Sequence, residues 1–176
     1  MIRKFAEHCS FLFAFIANPK QVGSIIPSSS HLGALIKKSI KELPPSKVIE
    51  IGGGTGSITH FLKDLNPHVI ELDRRLANGL RYKFPFLRIT NGCAIDYLKH
   101  LNAPSGLVIS IPLINNPQSI ETINAIKMAY DNGLLTWVIT YSYGRNSPLA
   151  AIDFKKTILL GRVRLNFPPA KVWLYE

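Results

Sequence analysis

The sequence predicts an α/β fold: a seven-stranded, mostly parallel sheet with helices on both faces and an antiparallel hairpin at its C-terminal end. Three observations favour this fold. Short apolar runs alternate with segments of helical spacing between residues 47 and 141, as consecutive β-α-β units require. A run of glycines directly follows the first apolar run. Two extended segments close the sequence, at 156–165 and 170–175, and the proline-containing turn between them favours antiparallel pairing.

The composition indicates a single basic domain. A chain of 176 residues can enclose one full core, and we expect residues 1–43 to form N-terminal helices that cap a core domain at 44–176. The 21 Lys and Arg against 11 Asp and Glu give a formal net charge of +10, which should attract the phosphates of nucleic acid or of an anionic membrane. Two cysteines and five histidines lack the spacing of a metal site or a disulfide framework, so we expect no metal and a reducing cytoplasm.

The N-terminal segment predicts an amphipathic helix. Basic residues precede bulky apolar residues at helical spacing, and the Asn-Pro pair at 18–19 ends the pattern. Phe11 and Phe15 fall outside the main apolar stripe. Two interpretations remain open: the helix covers the sheet, or it lies in a membrane surface. Its apolar run is too short to span a bilayer.

A second helix is predicted from His31 to Leu43. A proline and three serines at 27–30 precede it, and serine hydroxyls commonly accept hydrogen bonds from the free N–H groups of a first helical turn. Ser28 and Ser29 are therefore capping candidates. The functional alternative is that these serines close over a ligand or present a positive helix end to a phosphate.

The turn after the first strand carries the clearest functional signal. The predicted strand at 47–51 runs into glycines at 52–54 and 56, and helical spacing then continues until Pro67. Glycine permits backbone angles that other residues avoid and lets the backbone lie close to a ligand. The N–H groups of the helix that follows favour an anion.

An acidic residue in the second predicted strand strengthens this interpretation. The strand covers 69–72, and Glu71 follows Glu50 by about 20 residues, the spacing at which a carboxylate reaches the ribose hydroxyls of a bound nucleoside. The pair of motifs predicts a nucleoside cofactor, which a dinucleotide dehydrogenase would also bind.

The remaining elements continue the alternation. Asp73 is predicted to cap the third helix, and the Asn-Gly turn at 91–92 follows the third strand. The other predicted elements are strands at 86–90, 106–111 and 134–141 and a helix at 119–132. Ligands of open parallel sheets lie beyond the carboxyl ends of the strands. One pocket is therefore expected to gather the loops 52–56, 93–96, 110–115 and 141–143 with Glu71.

The stretch Glu-Ile-Gly-Gly-Gly-Thr-Gly at 50–56, with Glu-Leu-Asp at 71–73, resembles the cofactor motifs of class I S-adenosylmethionine-dependent methyltransferases. That resemblance implies a Rossmann-like fold whose sheet ends in a reversed hairpin, and S-adenosyl-L-methionine as the cofactor. More narrowly, four segments resemble bacterial phospholipid N-methyltransferases; they cover 15–29, 111–115, 140–148 and 164–175. This implies methylation of the amino group of phosphatidylethanolamine.

The resemblance also implies roles for individual residues. The glycine loop would hold the methionine end of the cofactor and Glu71 its ribose hydroxyls. The family usually has an Asp where this chain has Cys93, and a glycine where it has Ser110. A thiol is a poor hydrogen-bond acceptor for the adenine amino group. That amino group would then bond backbone groups near Ala94 or the carboxylate of Asp96. The implied cofactor-binding residues are Glu50, Gly52, Gly54, Gly56, Glu71, Leu72, Cys93, Ala94, Ser110 and Ile111.

On the acceptor side, an amide and two phenol rings are the candidates for orienting an amine that becomes a methylated cation: Asn115, Tyr141 and Tyr143. The lipid itself would contact Ser28, Ser29, Pro112 and Arg145, with Arg145 or Lys20 holding its phosphate. The expected partners are a phospholipid substrate and an anionic membrane surface, which implies a cytoplasmic protein peripheral to the inner membrane, and nucleic acid is not an expected partner. Two alternatives stay open: an rRNA adenine dimethyltransferase, and a membrane-surface protein that binds the cofactor without catalysis.

Overall fold

The computed structural model describes residues 26–44, 46–111, 113, 119–143, 146–164 and 169–176, with only the backbone described at 26–29. Within these residues the chain forms one seven-stranded sheet of order β3-β2-β1-β4-β5-β7-β6. The strands are β1 (Lys47–Ile51), β2 (His68–Glu71), β3 (Ile89–Asn91), β4 (Ser105–Ile109), β5 (Leu135–Ser142), β6 (Thr157–Val163) and β7 (Ala170–Tyr175).

The strand pairing confirms the predicted sheet. Strands β1 to β5 are parallel to one another, whereas β7 runs antiparallel to both β5 and β6. Strands β1, β2 and β4 are almost wholly buried, β4 on all five residues, because helices cover both faces.

The described helices are α1 (Ile26–Lys41), α2 (Thr59–Leu62), α3 (Arg74–Lys83), α4 (Ala94–Lys99) and α5 (Ser119–Asp131), and a 3-10 turn at Lys63–Leu65 extends α2. Helices α1 and α2 bury apolar side chains against Val48, Val108 and the C-terminal hairpin, and α3 packs on Val69 of the same face. Helices α4 and α5 pack on the opposite face, around Ile49 and Ile51. The side-chain alternation along β1 thus separates the two apolar layers.

Three local predictions are corrected by the structure. Helix α1 begins at Ile26 and not at His31, so the backbone of Ser28 and Ser29 lies inside the helix and neither residue precedes it as a cap. Pro27 is compatible with this early start because a proline in the first turn lacks only an N–H group that would have no helical partner.

The second correction concerns the third strand, which covers only Ile89–Asn91. Residues 84–87 form a turn instead, closed by a 3.0 Å hydrogen bond from the Leu87 N–H to the Phe84 carbonyl. The third correction concerns residues 94–96, which the sequence predicts as part of a turn. They form the start of helix α4, which is six residues long and begins two residues after the Asn-Gly pair.

A glycine in the middle of the sheet makes room for a large ring. Gly106 of β4 lies opposite Trp137 of β5, and a methyl group added at Gly106 would lie 2.0 Å from the Trp137 indole. Trp137 is 1% exposed, and its Nε1–H has no hydrogen-bond partner among the described residues. The indole therefore occupies the volume that a side chain at 106 would fill.

Within the described ranges, no helix combines the length and the apolar character that crossing a membrane would require.

Candidate functional site

The glycine loop lies at the carboxyl end of β1, between this strand and α2. Gly52, Gly54 and Gly56 adopt φ angles of 78°, 56° and 89°, a region that other residues rarely adopt. The loop is anchored to the sheet because the Gly52 N–H donates to the Ile70 carbonyl at 2.8 Å.

Two of these glycines are also required by close packing, whereas the third faces open space. A methyl group at Gly52 would lie 2.1 Å from Ile111 Cγ2, and one at Gly56 would lie 2.7 Å from the Phe84 ring. At Gly54 the nearest atom would be the Gly52 carbonyl oxygen at 3.9 Å. The backbone at Gly54 is therefore open to a ligand on its free side.

The carboxylate of Glu71 ties the loop to the start of α3. Its Oε2 accepts a hydrogen bond from the Gly54 N–H at 2.8 Å, and its Oε1 accepts one from the Asp73 N–H at 2.9 Å. Asp73 in turn caps α3, as predicted, by accepting from the N–H groups of Arg75 and Leu76. A carboxylate offers about four lone-pair positions, so Glu71 keeps acceptor capacity for hydroxyl groups of a ligand.

A second, fully buried carboxylate lies on β1. Glu50 is 0% exposed, and its Oε1 accepts a 3.1 Å hydrogen bond from the Ser110 hydroxyl. Neither Glu50 Oε2 nor the hydroxyl of Thr59 has a hydrogen-bond partner in the described part of the chain. Burial raises the pKa of Glu50 to about 7, and the nearby Glu71 adds to the rise. The hydrogen bond from Ser110 opposes the rise, and so does the polar hydroxyl of Thr59, which lies near the carboxylate without a well-formed hydrogen bond to it. A buried carboxylate with an unused oxygen is suited to a cation or a hydrogen-bond donor supplied by a ligand.

The end of β5 brings Tyr141 near this carboxylate, and Tyr143 lies against Tyr141. The Tyr141 hydroxyl lies 3.5 Å from the Ser110 carbonyl oxygen, the outer limit for a hydrogen bond. The rings of Tyr141 and Tyr143 meet edge to face with centroids 5.9 Å apart, and Tyr143 is 53% exposed. Burial raises the pKa of Tyr141, as do Tyr143 and Glu50, so its hydroxyl stays protonated. The pair forms an aromatic wall beside the carboxyl end of β4.

The turn after β3 lies beside the carboxyl end of β2. The Asn91 amide donates to the carbonyls of Glu71 and Leu72 at 3.0 and 2.8 Å, and the Gly92 N–H donates to the Glu71 carbonyl at 3.0 Å. Cys93 occupies the N-cap position of α4, but its thiol makes no hydrogen bond to the helix. Leu72 is 55% exposed beside this turn.

Sequence reasoning missed three contributors to this edge: Thr59, Asn91 and Lys83. Lys83, in the last turn of α3, donates from Nζ to the Thr55 carbonyl at 2.8 Å and so holds the glycine loop from outside. The Asn-Gly pair was recognised only as a turn, although an Asn side chain often bonds nearby backbone. The contacts of Lys83 and Thr59 depend on tertiary packing, and no local pattern signals them.

The predicted cofactor residues thus lie along the carboxyl edge of β1, β2, β3 and β4, and their roles stay predictions. On the acceptor side, Pro112, Asn115 and Arg145 lie outside the described residues, as does Lys20, and the side chains of Ser28 and Ser29 are not described. No cluster of His, Cys, Asp or Glu suited to a metal ion occurs in the part of the chain that the structure describes.

No protein-family model and no curated protein matches the sequence. Solved structures match the fold at low identity. A methyltransferase from Archaeoglobus fulgidus, described as dependent on S-adenosylmethionine, is 13% identical with a TM-score of 0.62, covering 93% of this chain and 99% of the other. The 23S rRNA methyltransferase ErmE is 22% identical with a TM-score of 0.58, over 81% of this chain and 66% of ErmE.

The bifunctional kinase-methyltransferase WbdD is 14% identical with a TM-score of 0.59, and the match covers 90% of this chain and 39% of WbdD. This chain therefore corresponds to less than half of WbdD. Together with the strand order and the C-terminal hairpin, these neighbours show that the fold is the Rossmann-like class I methyltransferase fold.

Proposed function

We propose that this chain is an S-adenosyl-L-methionine-dependent methyltransferase that transfers a methyl group to an amine, with the amino group of phosphatidylethanolamine-type phospholipids as the acceptor. The observation that carries the cofactor proposal is the clamp between the glycine loop and Glu71, formed by the 2.8 Å hydrogen bond from the Gly54 N–H. It lies at the carboxyl edge of a parallel sheet, where ligands of such folds bind.

The residues at this edge have the chemistry that the cofactor needs. The unpartnered Glu50 Oε2 is suited to the region of the methionine ammonium group, and Gly54 leaves the space beside the loop free. Glu71 has acceptor capacity left for ribose hydroxyls, and the exposed Leu72 offers an apolar contact to the adenine ring. Cys93 and Ala94 would border the adenine edge, and Ser110 with Ile111 the opposite wall.

The bound cofactor would supply an activated sulfonium methyl group, so the protein needs no nucleophile of its own. Its contribution is to hold the acceptor nitrogen in line at about 3 Å and to exclude water. Tyr141 and Tyr143 present aromatic faces that tolerate a nitrogen becoming more cationic, and the Ser110 carbonyl is a hydrogen-bond acceptor for an N–H group. Asn115 is the further candidate for orienting the amine.

The lipid acceptor is supported by the four sequence segments that resemble phospholipid N-methyltransferases and by the net charge of +10. A lipid substrate implies that the protein acts at the cytoplasmic side of the inner membrane. Pro112 and Arg145 remain the proposed lipid contacts, with the amino-terminal aromatic segment as a membrane contact.

Cofactor binding is tested by calorimetry with S-adenosylmethionine on the wild-type chain and on Glu71→Ala. Loss of a charge-assisted hydrogen bond should weaken binding about 10- to 100-fold. Glu121→Ala is the matched control, because Glu121 is exposed in the first turn of α5 on the other face of the sheet. The transferase proposal fails if the wild-type chain does not bind the cofactor. It also fails if Glu71→Ala binds the cofactor as tightly as the wild type.

The acceptor is tested with cofactor labelled in its methyl group. Liposomes that contain phosphatidylethanolamine should become labelled, whereas phosphatidylcholine liposomes, which offer no free amine, should not. Label in added rRNA with none in the lipid would reverse the choice of acceptor.

An rRNA adenine methyltransferase is the second candidate, because the positive charge also suits RNA and ErmE shares the fold. Resemblance to that family calls for an Asn at the position of Ser110 and an aromatic residue at that of Leu113, which together would hold the target base. In this chain Ser110 bonds Glu50, and Leu113 is 5% exposed within an apolar core cluster. A buried leucine cannot stack on a base, so we rank lipid above RNA.

A further inference from the structure

We propose that the outer side of α3 and the turn after it form a docking surface for an anionic lipid bilayer. We define this α3 surface by Arg74, Arg75, Tyr82, Phe86 and Arg88, all of which are exposed. It is separate from the amino-terminal segment considered above, and it requires only that the protein meets a membrane, whether or not a lipid is its substrate.

Two aromatic rings of the α3 surface are almost fully exposed to water. Phe86 is 95% exposed and Tyr82 is 90% exposed, more than any other large apolar residue among those described. Phe86 lies in the turn at 84–87, which Pro85 stiffens and the hydrogen bond from Leu87 to Phe84 closes. The turn holds the Phe86 ring outward, and burial in an apolar medium would remove its exposed area from water.

The chain segment that carries these rings has only positive charges. Between Asp73 and Asp96 the sequence contains five basic residues and no acidic one: Arg74, Arg75, Arg81, Lys83 and Arg88. The salt bridges found among the described residues lie elsewhere, at Lys37, Lys127 and Lys156. The side chains of Arg74 and Arg75 have no hydrogen-bond partner in the described ranges. These guanidinium groups are free to meet phosphates.

Exposed aromatic rings beside basic residues suit either a lipid surface or single-stranded nucleic acid. The shape of the α3 surface favours lipid, because its rings lie on a helix face and a turn tip and do not line a groove. The cleft next to Arg88 is lined by Tyr97, His100, Leu101 and Asn102, and neither exposed ring contributes to it. A protruding ring enters the boundary between headgroups and acyl chains, and the arginines then bind lipid phosphates. Our choice of a lipid surface over single-stranded nucleic acid also rests partly on the proposed lipid acceptor.

The α3 surface adjoins the cofactor loop. Lys83 bonds the Thr55 carbonyl at 2.8 Å, and the Phe84 ring packs where a side chain at Gly56 would lie. Docking through α3 would therefore hold the glycine loop close to the headgroup layer, where an amine on a lipid is located.

The test measures partition of the full chain onto vesicles by cosedimentation. The vesicles contain equal parts of phosphatidylglycerol and phosphatidylcholine, with pure phosphatidylcholine as the uncharged reference. The double variant Tyr82→Ser, Phe86→Ser should partition at least about 10-fold more weakly onto the anionic vesicles. The control Ile120→Ser, Met128→Ser removes apolar residues that are 67% and 58% exposed on α5, and it should partition like the wild type.

A charge variant tests the electrostatic part separately. Arg74→Gln, Arg75→Gln should weaken binding about fivefold for each arginine, and the loss should shrink as salt is raised. Lys38→Gln, Lys41→Gln is the matched control, because both lysines are exposed in the last turns of α1.

Equal partition of the ring variant and the wild type would overturn the proposal, as would equal binding of the wild type to anionic and neutral vesicles. Loss of RNA binding in the ring variant, with vesicle binding unchanged, would overturn it in favour of nucleic acid. The outcome is independent of the transferase proposal. If the wild-type chain does not bind S-adenosylmethionine, the transferase proposal is refuted. If the ring variant then binds anionic vesicles more weakly than the wild type, the docking surface is still supported.

Discussion

Cys93 precedes helix α4 as its N-cap residue, but its thiol makes no capping hydrogen bond. The start of α4 is therefore less stable than an Asp at this position would make it. Cys93 has the extended backbone of an N-cap residue, with φ and ψ of −79° and 130°, but an Asp at this position would accept from the first free N–H groups of the helix. We predict that Cys93→Asp raises the free energy of unfolding by about 1 kcal/mol, measured by urea denaturation.

The same substitution should also strengthen S-adenosylmethionine binding about 10-fold, since the carboxylate restores an acceptor near the proposed adenine position. Calorimetry measures this, and Cys93→Ala is the control because alanine supplies neither a cap nor an acceptor. Unchanged affinity in Cys93→Asp would mean that the adenine ring does not lie beside this turn.

At the residue scale, the sequence indicated single candidate residues but not the contacts between them. Glu71 was recognisable from its spacing after Glu50. The bond between Glu50 and Ser110 was not, because it depends on the register that sets Glu50 opposite Val108 of β4. Register between strands that are distant in sequence is decided by the packing of the whole sheet.

At the scale of elements, the glycine loop offers a matched pair of tests. Gly52→Ala combines an unfavourable φ of 78° with a contact of 2.1 Å to Ile111, so it should destabilise the chain by about 2–4 kcal/mol and abolish cofactor binding. Gly133 has a similar φ of 71° after α5, but no atom lies within 4 Å of an added methyl group. Gly133→Ala should therefore cost only about 1–2 kcal/mol and leave cofactor binding intact.

Urea denaturation and calorimetry on the two variants measure both quantities. Equal losses of stability would show that the contact with Ile111 relaxes without cost. Retained cofactor binding in Gly52→Ala would argue against the loop as the cofactor site.

For strands with apolar runs, the predicted first and last residues differ from the observed ones by only a few positions. The bounds of β7, 170–175, agree with the prediction. Helix α4 was missed because six residues hold too little periodicity to be separated from a turn. The start of α1 was placed too late because the serines at 28–30 read as caps, although they lie within the helix.

At the scale of the whole molecule, the buried Glu50 and the half-buried His68 give stability opposite dependences on pH. The pKa of Glu50 is about 7 in the folded chain against an ordinary 4.5, so the native state binds more protons between these values and stability falls as pH rises through the window. Burial and the charge of Arg88 lower the pKa of His68 to about 4 from 6.5. The unfolded state binds more protons there, and stability rises with pH.

We therefore predict that the two slopes oppose each other in the wild type between pH 4.5 and 6.5, so that each variant tilts the profile in a different direction. In Glu50→Gln, stability should rise up to pH 6.5 and then stay level. In His68→Gln, it should fall by about 3 kcal/mol between pH 4.5 and 7. Urea denaturation at half-unit pH steps measures the slopes, and parallel profiles in the two variants would contradict the prediction.

Whole-molecule features were the best predicted, because they depend on repetition and not on one contact. The alternation of strands and helices and the closing hairpin gave the sheet class that the strand order confirms. The pKa shifts of Glu50 and His68 were not predictable, since they depend on how far tertiary packing removes water and, for His68, on the nearby charge of Arg88.

The packing of Trp137 against Gly106 implies that these two positions change together over evolutionary time. A larger residue at 106 is tolerated only after the indole has been replaced by something smaller, and a large ring at 137 requires glycine opposite it. Among homologous sequences the two columns should therefore covary, and a library that randomises both codons should recover folded chains only in size-complementary combinations.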